Sequence, residues 1–218
     1  MIGLRLATPD APLRILALGA HADDLEIGCG GTLLRLRQAY DDLQVHWVVL
    51  GCEEEARARE AERSAHALVG AEAVEVSLGR YPDAFLPYRG EDVKRLFERL
   101  KGDVEPDVVL THYRHDLHQD HRLVCELTWN TFRDHLILEY EVPKYDGDLG
   151  SPNVFVHLDQ AIAEQKIAHV LEHFPSQATR KWFTGDLFRS LLRIRGMESN
   201  SPGGFAEGFY ARKLLVAP

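Results

Sequence analysis

No apolar run in this chain of 218 residues approaches the roughly 20 residues that a membrane-spanning helix needs. Cysteine is scarce: Cys29, Cys52 and Cys125 are odd in number, far apart and without a CxxC pair. That excludes a disulfide framework and a thiolate metal site, and reads the three as small buried hydrophobes. Basic charge is also lacking. A net charge of −9 argues against a nucleic-acid partner, because neutralising phosphates takes a basic surface. The 10 prolines and 17 glycines are spread out, so neither a linker nor a low-complexity tract stands out, and no internal repeat is found. The first two dozen residues hold no apolar stretch of signal-peptide length, so the chain is expected to be cytoplasmic. What is present is ordinary for a soluble globular protein, with 45% hydrophobic and 27% charged residues, and is expected to form one domain over residues 1–218. The charge is uneven. Residues 178–218 hold seven Lys/Arg against three acids, a local +4 on a body of −13, which hints at an anionic group on the ligand.

Apolar runs alternate with helical patterns, the signature of βαβ units. Strands are predicted over 14–18, 45–50, 73–78, 107–110, 136–142, 154–157 and 205–216. Helices are predicted over 30–40, 53–69, 91–101, 122–132, 159–173 and 185–195. The second helix is given Ala56, Ala61, Ala65 and Leu68 as its apolar stripe; the fifth is given Ile162, Ile167, Val170 and Leu171. Right-handed crossovers then yield a Rossmann-like, mainly parallel α/β sheet with helices on both faces and a C-terminal α/β extension. Ligands of such sheets sit beyond the carboxyl ends of the strands. Two polar clusters fall there.

The first, AHADDLEIGCGGT (residues 20–32), sets His21 beside the adjacent carboxylates Asp23 and Asp24 directly after the first strand. Neighbouring like charges in a buried place are costly, and a divalent cation offsets that cost. Adjacent residues point different ways, so one carboxylate can hold a metal while the other faces substrate. The second, HYRHDLHQDH (residues 112–121), packs four histidines into ten residues after the fourth strand. Neutral imidazole is the commonest zinc ligand, and three ligands with an open position suit a catalytic zinc. Plainer readings stand beside these: a helix N-cap followed by a glycine turn for the first cluster, and a solvated loop in which His121 caps a helix for the second. The glycines of GCGGT lack the GxGxxG spacing and a following lysine; they are read as a tight turn that lets the 21–26 loop approach a metal.

With these residues in view, AHADDLEIGCGGT resembles the HPDDE-type signature of the PIG-L/LmbE-like N-deacetylases, and LHQDH resembles their second, HPDH-type motif. EARAREAERSAHALVG, KIAHVLEHFPSQ and FAEGFYARKLL resemble further segments of that family in the same order, nearly the whole chain through. The resemblance implies a Rossmann-like fold, one Zn2+ per chain, and removal of an N-acyl group, first of all acetyl, from an amino sugar or sugar conjugate. By motif position it implies zinc on His21, Asp24 and His121, Asp23 as general base, His118 assisting the tetrahedral intermediate, and Asp120 as a supporting carboxylate of the catalytic set. It also points to Arg59, His173 and Gln177 as substrate contacts, with the part from about residue 140 onward contributing to the pocket. The chain departs from the family pattern at Ala22, Leu25 and Gln119, none of them a ligand or base.

Either Asp116 or Asp120 is available to orient the His118 ring, and His112 and His115 read more readily as structural hydrogen bonders. The basic, amphipathic segment 181–195 is read as packing on its own core or on a second subunit, with a membrane contact as the lesser alternative. The partner expected is a small N-acylated sugar. Competing functions are a zinc amidase acting on a thiol-sugar conjugate, a Rossmann-type nucleotide-binding enzyme, and a sugar-binding protein without turnover.

Overall fold

A computed structural model describes residues 3–8 and 11–215. Its strands are β1 (Leu13–Gly19), β2 (Leu43–Val49), β3 (Val74–Leu78), β4 (Val108–His112), β5 (Leu136–Tyr140), β6 (Val154–Leu158) and β7 (Phe205–Tyr210). They form one sheet in the order β3-β2-β1-β4-β5-β7-β6. The first five are parallel, and β7 runs antiparallel to both of its neighbours. The helices are α1 (Asp24–Ala39), α2 (Glu55–Val69), α3 (Gly90–Asp103), α4 (Gln119–Thr131), α5 (Gln160–His173) and α6 (Gly185–Glu198). Helices α1, α2, α5 and α6 pack on one another on one face; α3 and α4 pair on the other.

This layering explains the unbroken apolar run of β1. Leu13, Ile15 and Ala17 belong to the core on the α1 side, whereas Leu16 and Leu18 belong to the core on the α3 side. A strand covered on both faces has no solvent side to alternate with. The chain leaves β1 for β2 and β3 on one side and returns to β4 and β5 on the other. The crevice at the carboxyl ends of β1 and β4 is therefore the topological switch point. Among the described residues no helix is long and apolar enough to cross a membrane.

Several boundaries differ from expectation. Helix α1 begins at Asp24 and runs straight through Gly28, Gly30 and Gly31, so these glycines do not form a turn. Helix propensity, about 1 kcal/mol against each glycine, is overridden by packing. A Cβ on Gly28 would lie 2.2 Å from the Tyr140 ring, and one on Gly31 would lie 2.6 Å from Leu158. Glu207 takes the backbone N–H groups of Gly31 (2.8 Å) and Thr32 (2.6 Å), while Lys166 donates to Ile27 O (2.6 Å) and pairs with Glu207. Helix α4 starts at Gln119, earlier than residue 122. Strand β7 ends at Tyr210; residues 211–215 continue without strand pairing, and residue 216 of the predicted strand lies outside the described residues. Ala56 is exposed, and the buried stripe of α2 runs through Ala58, Ala61, Ala65 and Leu68. Leu171 faces solvent on α5.

The basic face of α6 is largely consumed internally. Arg195 is buried on Glu141 (2.8 Å), Arg189 pairs with Glu164, and Arg193 donates to Gly204 O (3.0 Å) over the Phe205 ring. Three of the four Lys/Arg of 181–195 thus have partners within the fold.

Replacing Gly28 with Ala tests the helix–sheet contact. Tyr140 cannot yield, being fully buried with its hydroxyl donating to Leu18 O at 2.7 Å. Overpacking of this kind costs about 1–3 kcal/mol, or about 2–12 °C of Tm in a chain of this size. Gly102→Ala on α3, where the added carbon meets nothing within 4 Å, is the control and is expected to leave the melt unchanged or slightly raised.

Candidate metal centre

Strand β1 ends at Gly19, and the next residues are pinned across the crevice by β4. His112, the last residue of β4 and fully buried, accepts the Ala20 N–H at Nε2 (2.9 Å). Its ring stacks on His121 with centroids 3.9 Å apart. His112 thus holds the two loops together, and its Nε2 also lies 3.2 Å from Asp24 Oδ2. Asp23 occupies the N-cap position of α1 without a side-chain capping bond, Asp24 opens the helix, and His118 caps α4 through its side chain. Each motif is a strand-to-helix junction, which fixes side chains more firmly than a free loop would.

The structure brings together His21, Asp24 and His121. His21 Nδ1 lies 3.2 Å from His121 Nε2 and 3.3 Å from Asp24 Oδ2, and His121 Nε2 lies 3.5 Å from Asp24 Oδ1. A tetrahedral zinc with bonds of about 2.0–2.1 Å sets its ligands about 3.3 Å apart. The far side of each ring supports the same reading. His21 Nε2 meets Asp120 (3.1 Å) and Asp83 (2.9 Å), and His121 Nδ1 meets Asp116 (2.8 Å). Carboxylates accept, so the protons of the two neutral imidazoles sit on those outer nitrogens. With that tautomer assignment the inner nitrogens face each other and Asp24 with lone pairs, the arrangement a bound cation would use. A carboxylate behind each ligating histidine is the usual outer support of a metal site.

The charges agree. Burial opposes ionisation of both Asp24 and His21, but the neighbouring imidazoles hold Asp24 well below the usual carboxylate range, and Asp24 with its companions raises His21. Burial and His112 push His121 down to about 4, which keeps its ring neutral and available as a ligand.

The supporting carboxylates are placed differently from the sequence expectation. Neither the Asp116 nor the Asp120 carboxylate orients the His118 ring. Asp120 is fully buried, accepts the N–H groups of Ala84 (2.8 Å) and Leu86 (3.2 Å), and holds His21. Asp116 holds His121 and is itself held by Lys144 (2.8 Å). His118 instead accepts the Asp120 N–H at Nδ1 (3.3 Å), so a neutral ring carries its proton on Nε2. Its ring lies 4.8 Å from that of His21 and 4.7 Å from that of His121. Burial, and the nearby His21, lower the His118 pKa.

Asp23 is buried, and Arg57 Nη2 donates to its Oδ1 at 2.5 Å. Burial raises its pKa and Arg57 restrains the rise. Arg57, not Arg59, is the α2 arginine that reaches the cluster. Arg59 is exposed and pairs with Glu55 (3.4 Å). Helical periodicity carries the missed signal, since Arg57 shares its face with the buried Ala61, Ser64 and Ala65, and Arg59 does not. Arg57 also donates to Glu60 (2.9 Å) and to Ser176 (3.0 Å), which ties the C-terminal part to this edge. Gln177 bonds Ser176 (3.2 Å) beside this network. His173 does not reach the cluster: it stacks on His169 at 4.0 Å and bonds that residue's carbonyl. Asp83 and Lys144, absent from the sequence reading, lie on loops that no periodicity announces.

The sequence profile of the PIG-L family, described as GlcNAc-PI de-N-acetylase, matches residues 16–132, just over half of the chain. The deacetylase YaiS of Escherichia coli K12, itself described as uncharacterized, is 29% identical over 182 residues, covering 73% of this chain and 89% of that protein. The N,N'-diacetylchitobiose deacetylase of Pyrococcus horikoshii superposes with a TM-score of 0.70 at 23% identity, over 91% of this chain and 83% of the other. GalB of Pseudomonas putida KT2440, a 4-carboxy-2-hydroxymuconate hydratase, superposes with a TM-score of 0.75 at 18% identity, over 94% and 98%. These two likenesses concern the fold, and between them they show it carrying different chemistries.

Proposed function

The chain belongs to the PIG-L family, and from that premise we propose that it is a zinc-dependent amide hydrolase removing an N-acyl group, first of all acetyl, from an amino sugar or sugar conjugate. The observation that carries the proposal is the three inward lone-pair donors of His21, Asp24 and His121, 3.2 to 3.5 Å apart, with Asp23 beside them.

His21 Nδ1, Asp24 and His121 Nε2 would hold a zinc ion, which would supply Lewis acidity and a water acidified toward a pKa of roughly 7. Asp23 is the general base. Arg57 occupies its Oδ1 and leaves Oδ2 to take the proton of the attacking water. His118 offers its Nε2–H to the amide oxygen as negative charge develops there, a contribution typically worth about 10²–10³ in rate. As the C–N bond breaks, the proton on Asp23 passes to the departing amine. Asp120 and Asp116 keep the two imidazoles turned inward throughout. The part from residue 140 onward contributes to the pocket through Lys144 and Ser176.

Metal analysis paired with an acetate-release screen over N-acetylated sugars tests the proposal. About one zinc per chain is expected, with acetate release lost on chelation and restored by zinc. Release of a larger acid would favour the thiol-sugar conjugate reading, and turnover indifferent to chelation would end the metal proposal.

A further inference from the structure

The three large aromatic side chains that stand exposed among the described residues are Phe85 (55%), Tyr88 (80%) and Tyr145 (69%), and all three lie on segments hydrogen-bonded to the metal cluster. Phe85 and Tyr88 belong to the segment before α3. Its backbone N–H groups at 84 and 86 are held by Asp120, and its Asp83 touches His21. Tyr145 follows Lys144, which bonds Asp116, and the same loop accepts the Leu117 N–H at Asp148 (2.7 Å). The core could hide such rings, and elsewhere in the chain it does: Trp47, Phe97, Phe132, Phe174 and Phe209 are fully buried. Exposed apolar side chains gathered at one place mark a binding surface.

The segment is also strained toward this presentation. Ala84 has φ +66°, a left-handed conformation that costs a residue with a Cβ about 1 kcal/mol or more. It is held there at both ends, with its N–H on Asp120 and its C=O accepting from Gln119 Nε2 (3.1 Å). Leu86 is fully buried and anchors the segment, while Phe85 and Tyr88 point outward with ring centroids 5.8 Å apart at 51°. Consecutive Cα atoms are 3.80 Å apart, so Phe85 begins within about 7.6 Å of Asp83, the length of one to two sugar rings.

From this geometry we infer that Phe85 and Tyr88 form a stacking platform for sugar rings beyond the one that carries the acyl group. The substrate is then an oligosaccharide of at least two units rather than a free monosaccharide. The inference rests on the sugar-deacylase reading above and deepens it. A pyranose presents an apolar C–H face and a hydroxylated edge, and the rim matches both. Charged residues flank the pair along the chain, with Asp83 before Phe85 and the Arg89–Asp92 pair after Tyr88.

The test uses zinc-loaded full-length protein with N-acetylglucosamine, N,N'-diacetylchitobiose and triacetylchitotriose as probes, read by acetate release and by calorimetric binding to the Asp23→Asn variant. The wild type is expected to prefer the dimer and trimer over the monomer by about 10-fold or more in kcat/KM, and Phe85→Ala/Tyr88→Ala is expected to shrink that ratio about 10-fold. Binding of the trimer should weaken in parallel when the same pair is changed on the Asp23→Asn background, a readout independent of turnover. Equal handling of all three lengths by the wild type, in binding and in turnover, overturns the platform while acetate release from the monomer leaves the deacylase reading intact. Length-dependent binding without any acetate release does the reverse. Concentration-dependent self-association or vesicle binding that the double substitution abolishes would assign the rim to a second subunit or a membrane, and also overturns the inference.

Discussion

Replacing Asp23 with Asn is expected to lower turnover by about 10³-fold while the protein still binds one zinc, since a positioned general base contributes about 10²–10⁴. The substitution is nearly isosteric. The amide oxygen can still accept from Arg57, which keeps Glu60 and Ser176 as further partners, so the buried guanidinium is not orphaned. Asp23 is absent from the three inward donors, and metal content should not change. Paired measurement of zinc by mass spectrometry and of kcat separates this outcome from unfolding. Turnover within tenfold of the wild type would show that another group takes the proton.

The residues that make this prediction possible are legible in the sequence because ligand chemistry concentrates scarce residue types. His21, Asp23 and Asp24 fall within four positions after β1, and His118 and His121 lie within four at the start of α4. The mainly parallel sheet is legible from runs such as those of β1 and β2. What orients the ligands is not legible. Asp116 and Asp120 both sit within reach of three histidines along the chain, and only the turn into α4 decides that one backs His121 and the other crosses to His21. Asp83 is about sixty residues from the histidine it touches, on a segment whose path is set by Leu86 in the core. The glycines of α1 mislead because local propensity argues for a turn, whereas the Tyr140 ring and the Lys166–Glu207 pair that make a helix necessary come from distant strands and helices.

Replacing His121 with Ala is expected to weaken zinc binding by more than the 10–100-fold typical of losing an outer-shell partner, leaving purified protein with about a tenth of its metal or less. The change removes one of three inward donors and also a partner of Asp116, although Lys144 still neutralises that carboxylate. Activity should fall with metal content, and excess zinc should restore only part of it. His115, which follows the end of β4 within the same motif, is the control: it is exposed and meets Tyr113 edge-on at 5.4 Å, so His115→Ala should keep both metal and turnover. Full zinc occupancy in the His121 variant would remove that residue from the ligand set.

The place of β7 has a consequence for how this molecule comes into being. The last of the seven strands to leave the ribosome is an inner plank of the sheet, wedged between β5 and β6. It also delivers Glu207 to the backbone of α1 near the beginning of the chain. During vectorial synthesis β6 therefore has no neighbour to join, and α1 lacks its carboxylate clamp, until residues 205–210 emerge. The three inward donors are all synthesised long before that, so a nascent chain carries these side chains on a sheet that cannot yet close behind them.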